Sequence, residues 1–143
     1  MPTPYLVAVC ENSAVDQRTN NFSLFHLVEQ IQVPRAGVMV GMEVHAYYEF
    51  TEAERGRPYE VRIRIDDENG RMLSTSATIA VISTTVRHRI LLPGLNIPRD
   101  GILRVHSEIR AAGGGEQPWV GSPWGWPVSV VIAPVAAPAV GPT

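Results

Sequence analysis

Apolar and charged residues alternate along residues 59–82, and this pattern predicts a β-hairpin. In the first half, Val61, Ile63 and Ile65 alternate with charged side chains, the two-residue period that directs apolar groups to one face of a sheet. Residues 66–70, Asp-Asp-Glu-Asn-Gly, predict the turn, because Asp and Asn bond their own backbone and Gly adopts a positive φ. The second half is rich in β-favouring residues, so we expect it to return alongside the first.

Further runs of β-branched and aromatic residues predict strands on both sides of the hairpin. They cover residues 5–11, 22–33, 38–50, 85–92, 102–110 and 128–132. The run 22–33 also samples helical spacing, but its β neighbours and the turn at 34–37 favour a strand. Residues 93–101 indicate a turn-rich crossing in which Leu95 and Ile97 lie under the end of the sheets. About seven or eight strands with no convincing helix predict an all-β fold, an antiparallel β-sandwich.

The β pattern ends at residue 132. Residues 133–143 have no period and contain too much Pro for a sheet or a helix. We therefore divide the chain into a β-sandwich domain, residues 1–132, and a Pro/Ala-rich C-terminal tail, residues 133–143, which we expect to be mobile. A chain of 143 residues is long enough to bury a core without metals or disulfides.

Charge and cysteine content narrow the function classes. All 12 basic residues are Arg, but the formal net charge of −2 provides no long-range attraction to a polyanion, so we expect no nucleic-acid partner. The lone cysteine, Cys10, lies in an apolar run and is expected to be a small buried hydrophobe. We see neither a signal peptide nor an apolar run of membrane-spanning length, and we expect a cytoplasmic protein, with a viral particle or a secretion-system component as open alternatives.

Four stretches of the chain, in their order, resemble the sequence pattern of a known protein family. They are Val9-Cys10-Glu11 with Val15-Asp16, Phe25-His-Leu-Val-Glu-Gln-Ile31, Val61-Arg-Ile-Arg-Ile-Asp66 and Leu92-Pro-Gly-Leu-Asn-Ile-Pro-Arg-Asp-Gly101. Their order is similar to that in a family of small bacterial proteins catalogued only as a domain of unknown function. The resemblance covers about residues 5–132 and implies a single immunoglobulin-like or C2-like β-sandwich without catalytic residues.

Trp119, Trp124 and Trp126 lie close together in a segment broken by Pro and Gly, residues 118–127. Tryptophan is favoured in binding hot spots because it covers a large area at low entropic cost. We identify these three residues as the candidate protein interface, since recognition often uses irregular exposed loops. Two alternatives stay open: the rings plug the open end of the sandwich, or they stack on sugars.

The histidines do not have metal-ligand spacing. His26, His45, His88 and His106 are dispersed over four predicted strands without a His-x-His or cysteine partner, so we expect no metal site. The acidic turn 66–70 does not fit the helix-flanked calcium loop.

The charged and nucleophilic residues likewise form no catalytic motif. Six arginines could form an outward stripe with interleaved acids: Arg62, Arg64, Arg87, Arg89, Arg104 and Arg110 with Glu43, Glu60 and Glu108. Cys10 is expected to be inert in its apolar strand, and no Gly-x-Ser-x-Gly elbow is present. We therefore expect no catalytic residue, no cofactor and no enzymatic activity.

The sequence thus predicts a non-catalytic protein-binding accessory or adaptor domain, acting on a protein partner or by self-association into a homo-oligomer. The alternative is a self-assembling structural protein, a component of a phage or bacterial capsid, tube or appendage that uses the tail as an arm. A third hypothesis, an enzyme or ligand carrier, requires a deep polar pocket that brings two or more of the histidines and acids together.

Overall fold

The computed structural model describes residues 1–113, 115–134 and 141. The described residues form strands, turns and loops, and the all-β prediction is confirmed. The strands are β1 (Thr3–Val15), β2 (Phe22–Leu27), β3 (Gln30–Val33), β4 (Val38–Val40), β5 (Glu43–Glu49), β6 (Pro58–Asp66), β7 (Met72–Thr75), β8 (Ile79–Ile82), β9 (Arg87–Leu92), β10 (Leu95–Ile97), β11 (Gly101–Ala111), β12 (Val120–Gly121) and β13 (Trp126–Ile132). Most of the tail predicted at 133–143 lies outside the described residues.

The strands of the described residues form three sheets. The first has four strands in the order β2-β1-β5-β9. The larger sheet follows the order β3-β13-β11-β6-β7, with β12 paired to β11 and β8 paired to β6, and a third sheet joins β10 to β4. All the strand pairs are antiparallel except β13 with β3, which is parallel. None of the described segments is a helix with the length and apolar character needed to cross a bilayer.

The hairpin predicted at residues 59–82 is present. β6 alternates as expected, and its turn contains Gly70 at φ +80°. Asp67 Oδ1 accepts the backbone N–H groups of Asn69 and Arg71, each at 2.9 Å, which is the self-bonding that favours Asp in turns. The return arm is two strands, β7 and β8, because Ser76 interrupts it, and its hydroxyl accepts a hydrogen bond from the backbone N–H of Ile63 at 2.9 Å.

Two of the predicted strands are each divided between sheets. Residues 38–50 form β4 and β5, and between them the Met42 N–H donates to the Val40 carbonyl at 2.9 Å in a tight turn. Residues 22–33 are extended, as predicted, but form β2 and β3 in different sheets. These two breaks, the break in the return arm of the hairpin and the short strands β10 and β12 bring the strand count of the described chain to thirteen, more than the expected seven or eight.

The crossing predicted at residues 93–101 contains a short strand. β10 lies within it and pairs with β4. Leu95 and Ile97 are 3% and 0% exposed and belong to the hydrophobic core.

The four-stranded sheet and the larger sheet contribute to one hydrophobic core. Val9, Val44 and Tyr48 enter it from the four-stranded sheet, and Val105 and Val128 enter it from the larger sheet. Burial of each such apolar side chain contributes about 1.5–3 kcal/mol. On β11 the core residues alternate with polar ones, so the opposite face of this strand is free to carry charged groups.

We predict that Leu103→Ala lowers the free energy of unfolding by about 2–5 kcal/mol, because it leaves a cavity in this core. Leu103 is 1% exposed, whereas its neighbour Ile102 is 46% exposed. Ile102→Ala is therefore the matched control, with an expected change of about 0.5 kcal/mol. Urea unfolding measures both values, and equal losses for the two variants would contradict the assigned faces of β11.

Candidate functional site

Residues 118–127, which we call the Trp segment, run alongside β11. At one end the ring of Trp119 contacts the Arg110 guanidinium, with 4.4 Å between the guanidinium carbon and the ring centroid. In the middle, β12 pairs with β11. At the other end Gly125 approaches His106 so closely that a Cβ at this position would lie 2.5 Å from the ring nitrogen Nε2. The segment is thus attached to one strand along its length.

Two guanidinium groups lie over the ring of Trp119. Their central carbons are 4.2 Å from the ring centroid for Arg62 and 4.4 Å for Arg110. Both cations are also bound by carboxylates: Arg62 Nε donates to Glu108 at 2.6 Å, and Arg110 Nε donates to Glu60 at 2.7 Å. Each cation–π contact contributes about 0.5–1 kcal/mol at such a partly exposed site. Trp119 therefore attaches the segment to the charged face of the sheet.

Trp126 and Trp124 lie in opposite environments. Trp126 is half-buried against the core, and its indole N–H donates to the Val28 carbonyl at 2.7 Å. Trp124 is 81% exposed. Trp126 is therefore a ring that packs against the core, and Trp124 is a ring that faces solvent. The three rings lie close together in the sequence, but the structure places them in different environments.

An ion-pair network lies on the face of β6 and β11 that Trp119 contacts. Asp66 and Glu108 are 1% and 3% exposed. Arg64 binds both, with Nη2 donating to Asp66 at 2.5 Å and Nη1 donating to Glu108 at 2.8 Å. His106 Nε2 lies 3.5 Å from Asp66 Oδ2. These charge-assisted hydrogen bonds offset the desolvation of the two buried carboxylates.

The arginine stripe proposed from the sequence is divided between two sheets. Arg62 and Arg64 lie on β6 beside Glu108, so the expected interleaving of arginines with acids holds there. Arg87 and Arg89 lie on β9 in the four-stranded sheet, away from that network. The alternation in the sequence indicated outward positions, but it could not indicate which strands are neighbours.

A second cluster occupies the outer face of the four-stranded sheet. Potential ligand atoms of Cys10, Glu43 and His45 lie within 4.8 Å of one another, although linear spacing predicted no metal site. Cys10 is buried, as expected, but its thiol lies 3.9 Å from Glu43 Oε2 rather than in the core cluster. The Glu-x-His spacing was visible in the sequence, but the approach of Cys10 depends on strand pairing.

Two recesses in the described part of the chain have different linings. One, of about 450 Å³, is lined mainly by apolar and hydroxyl side chains, among them Ile63, Ile65 and Leu92. The other, of about 630 Å³, contains Arg87, His88 and Arg89. Among the residues that line these two recesses there is one histidine, His88, and no carboxylate.

We predict that Gly125→Ala lowers the free energy of unfolding by about 1–3 kcal/mol, because the added methyl displaces the His106 ring. Gly121→Ala is the control, since its Cβ would meet only the side chain of Glu108 at 4.0 Å. The loss of stability caused by Gly125→Ala should be smaller in a chain that also carries His106→Ala than in the wild-type chain. Urea unfolding of the four variants measures this coupling, and strict additivity would contradict the contact.

We also predict that the protein loses stability as the pH falls below about 6.5. Burial lowers the pKa of His106, an effect that Asp66 opposes and Arg64 reinforces. Burial also lowers the pKa values of His45 and His88. The unfolded chain then binds more protons than the folded chain, so acid favours unfolding. Urea unfolding between about pH 8 and pH 5 should show this decline, and His106→Gln should flatten it. An unchanged midpoint over this range would contradict the assignment.

No known protein-family model matches the chain, and no curated protein matches it.

Proposed function

We propose that this chain is a non-catalytic protein-binding accessory or adaptor domain whose contact surface is centred on Trp124. The observation that carries the proposal is the 81% exposure of this side chain on a segment that is attached at both ends. Exposing a large aromatic ring to water is unfavourable, and burying it on a partner recovers that free energy.

The backbone around Trp124 is fixed before any partner binds. The Ser122 N–H donates to the Ser107 carbonyl at 2.8 Å, and the Ser122 hydroxyl donates to the Trp124 carbonyl at 3.1 Å. On the other side, Trp126 is held by its bond to the Val28 carbonyl. A fixed backbone reduces the entropy lost on association, so this geometry favours binding.

The surroundings of Trp124 indicate the kind of partner. The buried acids of the larger sheet are matched by arginines, as in the Arg64 bridge between Asp66 and Glu108. Charges that are paired within the chain leave little net charge to attract a charged partner. We therefore expect a protein partner with an apolar pocket for the Trp124 ring and a polar rim.

The scaffold of this proposal is a β-sandwich of the immunoglobulin-like or C2-like type. The support for it is the single core to which both large sheets contribute. The bacterial setting rests on the resemblance to the domain of unknown function. In this scheme the larger sheet presents the Trp segment, and the four-stranded sheet closes the core behind it.

We predict that Trp124→Ala weakens binding of a captured partner by at least about 30-fold, the loss typical of a hot-spot residue. The fold should persist, because the ring is exposed. Partners are captured with the immobilised full-length chain and identified, and their affinity for each purified variant is then measured by calorimetry.

Ile82→Ala is the matched control, since Ile82 is 61% exposed but lies on β8, outside the Trp segment. It should leave the affinity unchanged. Light scattering gives the molar mass of the wild-type chain and of Trp124→Ala. If the partner is a second copy of this chain, the wild-type mass should be the larger of the two. Equal affinity of the wild-type and Trp124→Ala chains for every captured partner would overturn the proposal.

A further inference from the structure

Strand pairing brings three different metal-ligating side chains together on the four-stranded sheet. Cys10 of β1 lies directly opposite Glu43 of β5 in the antiparallel register, and His45 follows Glu43 by two residues. Val9 and Val44, which are next to these positions, face the core. Because side chains alternate along a strand, Cys10, Glu43 and His45 share the opposite face.

The distances among these groups are close to those of a tetrahedral zinc site. Zn²⁺ binds N and O ligands at about 2.0–2.2 Å and thiolate at about 2.3 Å, which places adjacent ligands roughly 3.4–3.6 Å apart. His45 Nε2 lies 3.5 Å from Glu43 Oε2, and Cys10 Sγ lies 3.9 Å from the same oxygen. Small side-chain movements would therefore place all three around one ion.

His45 provides an independent indication of a ligand. Its side chain is fully buried, and Nε2 has no hydrogen-bond partner, although it is directed towards the Glu43 carboxylate. A buried polar atom without a partner is costly unless something binds it.

The carboxylate of Glu43 is oriented for the same role. The Ser13 hydroxyl donates to Oε1 at 3.1 Å, while Oε2 faces both Cys10 and His45. A hydrogen bond to one oxygen holds the ligand in place and leaves the other free, as partners outside the coordination shell do in metal sites.

We propose that Cys10, Glu43 and His45 form a binding site for a divalent transition-metal ion, with Zn²⁺ as the expected metal. Thiolate, imidazole and carboxylate together favour zinc over magnesium or calcium, which prefer oxygen ligands alone. Three protein ligands leave a fourth position for water. Binding displaces the thiol proton of Cys10 into solvent, and the sulfur then forms the bond to the metal.

Arg89 opposes metal binding. Its Nη1 lies 3.2 Å from His45 Nδ1, and because a guanidinium only donates, Nδ1 accepts and the imidazole proton is on Nε2. Coordination through Nε2 moves this proton to Nδ1, so the guanidinium must withdraw. Arg89→Gln should therefore tighten binding, because the amide oxygen of Gln can accept the Nδ1–H.

The test is a titration of the reduced full-length chain with Co²⁺, a spectroscopic substitute for Zn²⁺. We expect saturation at one equivalent, visible absorption typical of a tetrahedral site and a near-ultraviolet thiolate-to-cobalt band. Cys10 is the chain's one cysteine, so this band identifies its source without a variant. Added Zn²⁺ should displace Co²⁺ and raise the melting temperature.

Variants of the site test the assignment of the individual ligands. Cys10→Ser should abolish the thiolate band, and His45→Gln should weaken Co²⁺ binding at least about tenfold. His26→Gln is the matched control, because His26 is an exposed histidine whose Nδ1 lies 3.0 Å from Glu11 and which is not part of the group formed by Cys10, Glu43 and His45. It should leave the titration unchanged. A wild-type chain without the band in excess Co²⁺, or equal losses in His45→Gln and His26→Gln, would overturn the proposal.

Discussion

The antiparallel pairing of β6 with β11 supports both the core and the surface of this protein. Eight residue pairs join the two strands. Their inward side chains, such as Val61 and Ile109, are 1% and 0% exposed. Their outward side chains include Arg62 opposite Glu108 and Glu60 opposite Arg110, so the same register that fills the core also matches the charges. A slip by one residue would exchange the two faces and destroy both arrangements.

The Trp segment lies beside a network of buried charges. Asp66 and Glu108 are almost inaccessible, and their arginine partners must be held in place to offset the cost of desolvation. The segment contacts neighbouring groups of the network, with Trp119 against the guanidinium groups of Arg62 and Arg110 and Gly125 close to His106. Trp124 is the ring of this segment that is mostly exposed. The surface proposed for binding thus lies on a segment that contacts the ion-pair network.

The two proposals concern different sheets and can fail separately. The Trp segment lies on β11 of the larger sheet, whereas Cys10, Glu43 and His45 lie on β1 and β5 of the four-stranded sheet. A metal ion there would cross-link β1 to β5 and stabilise that sheet without contacting Trp124. Binding of a partner and binding of Co²⁺ are therefore independent measurements on one molecule.

The sequence alone determined the features that depend on neighbouring residues. The alternation in β6, the Gly70 turn and the burial of Leu95 and Ile97 follow from side-chain period and turn chemistry, and all are present. The division of residues 38–50 between two sheets, the separate environments of the three tryptophans and the approach of Cys10 to Glu43 and His45 were decided by tertiary structure. The physical reason is that a two-residue period specifies which face a side chain occupies, whereas the partner strand and its register depend on contacts between residues far apart in the chain.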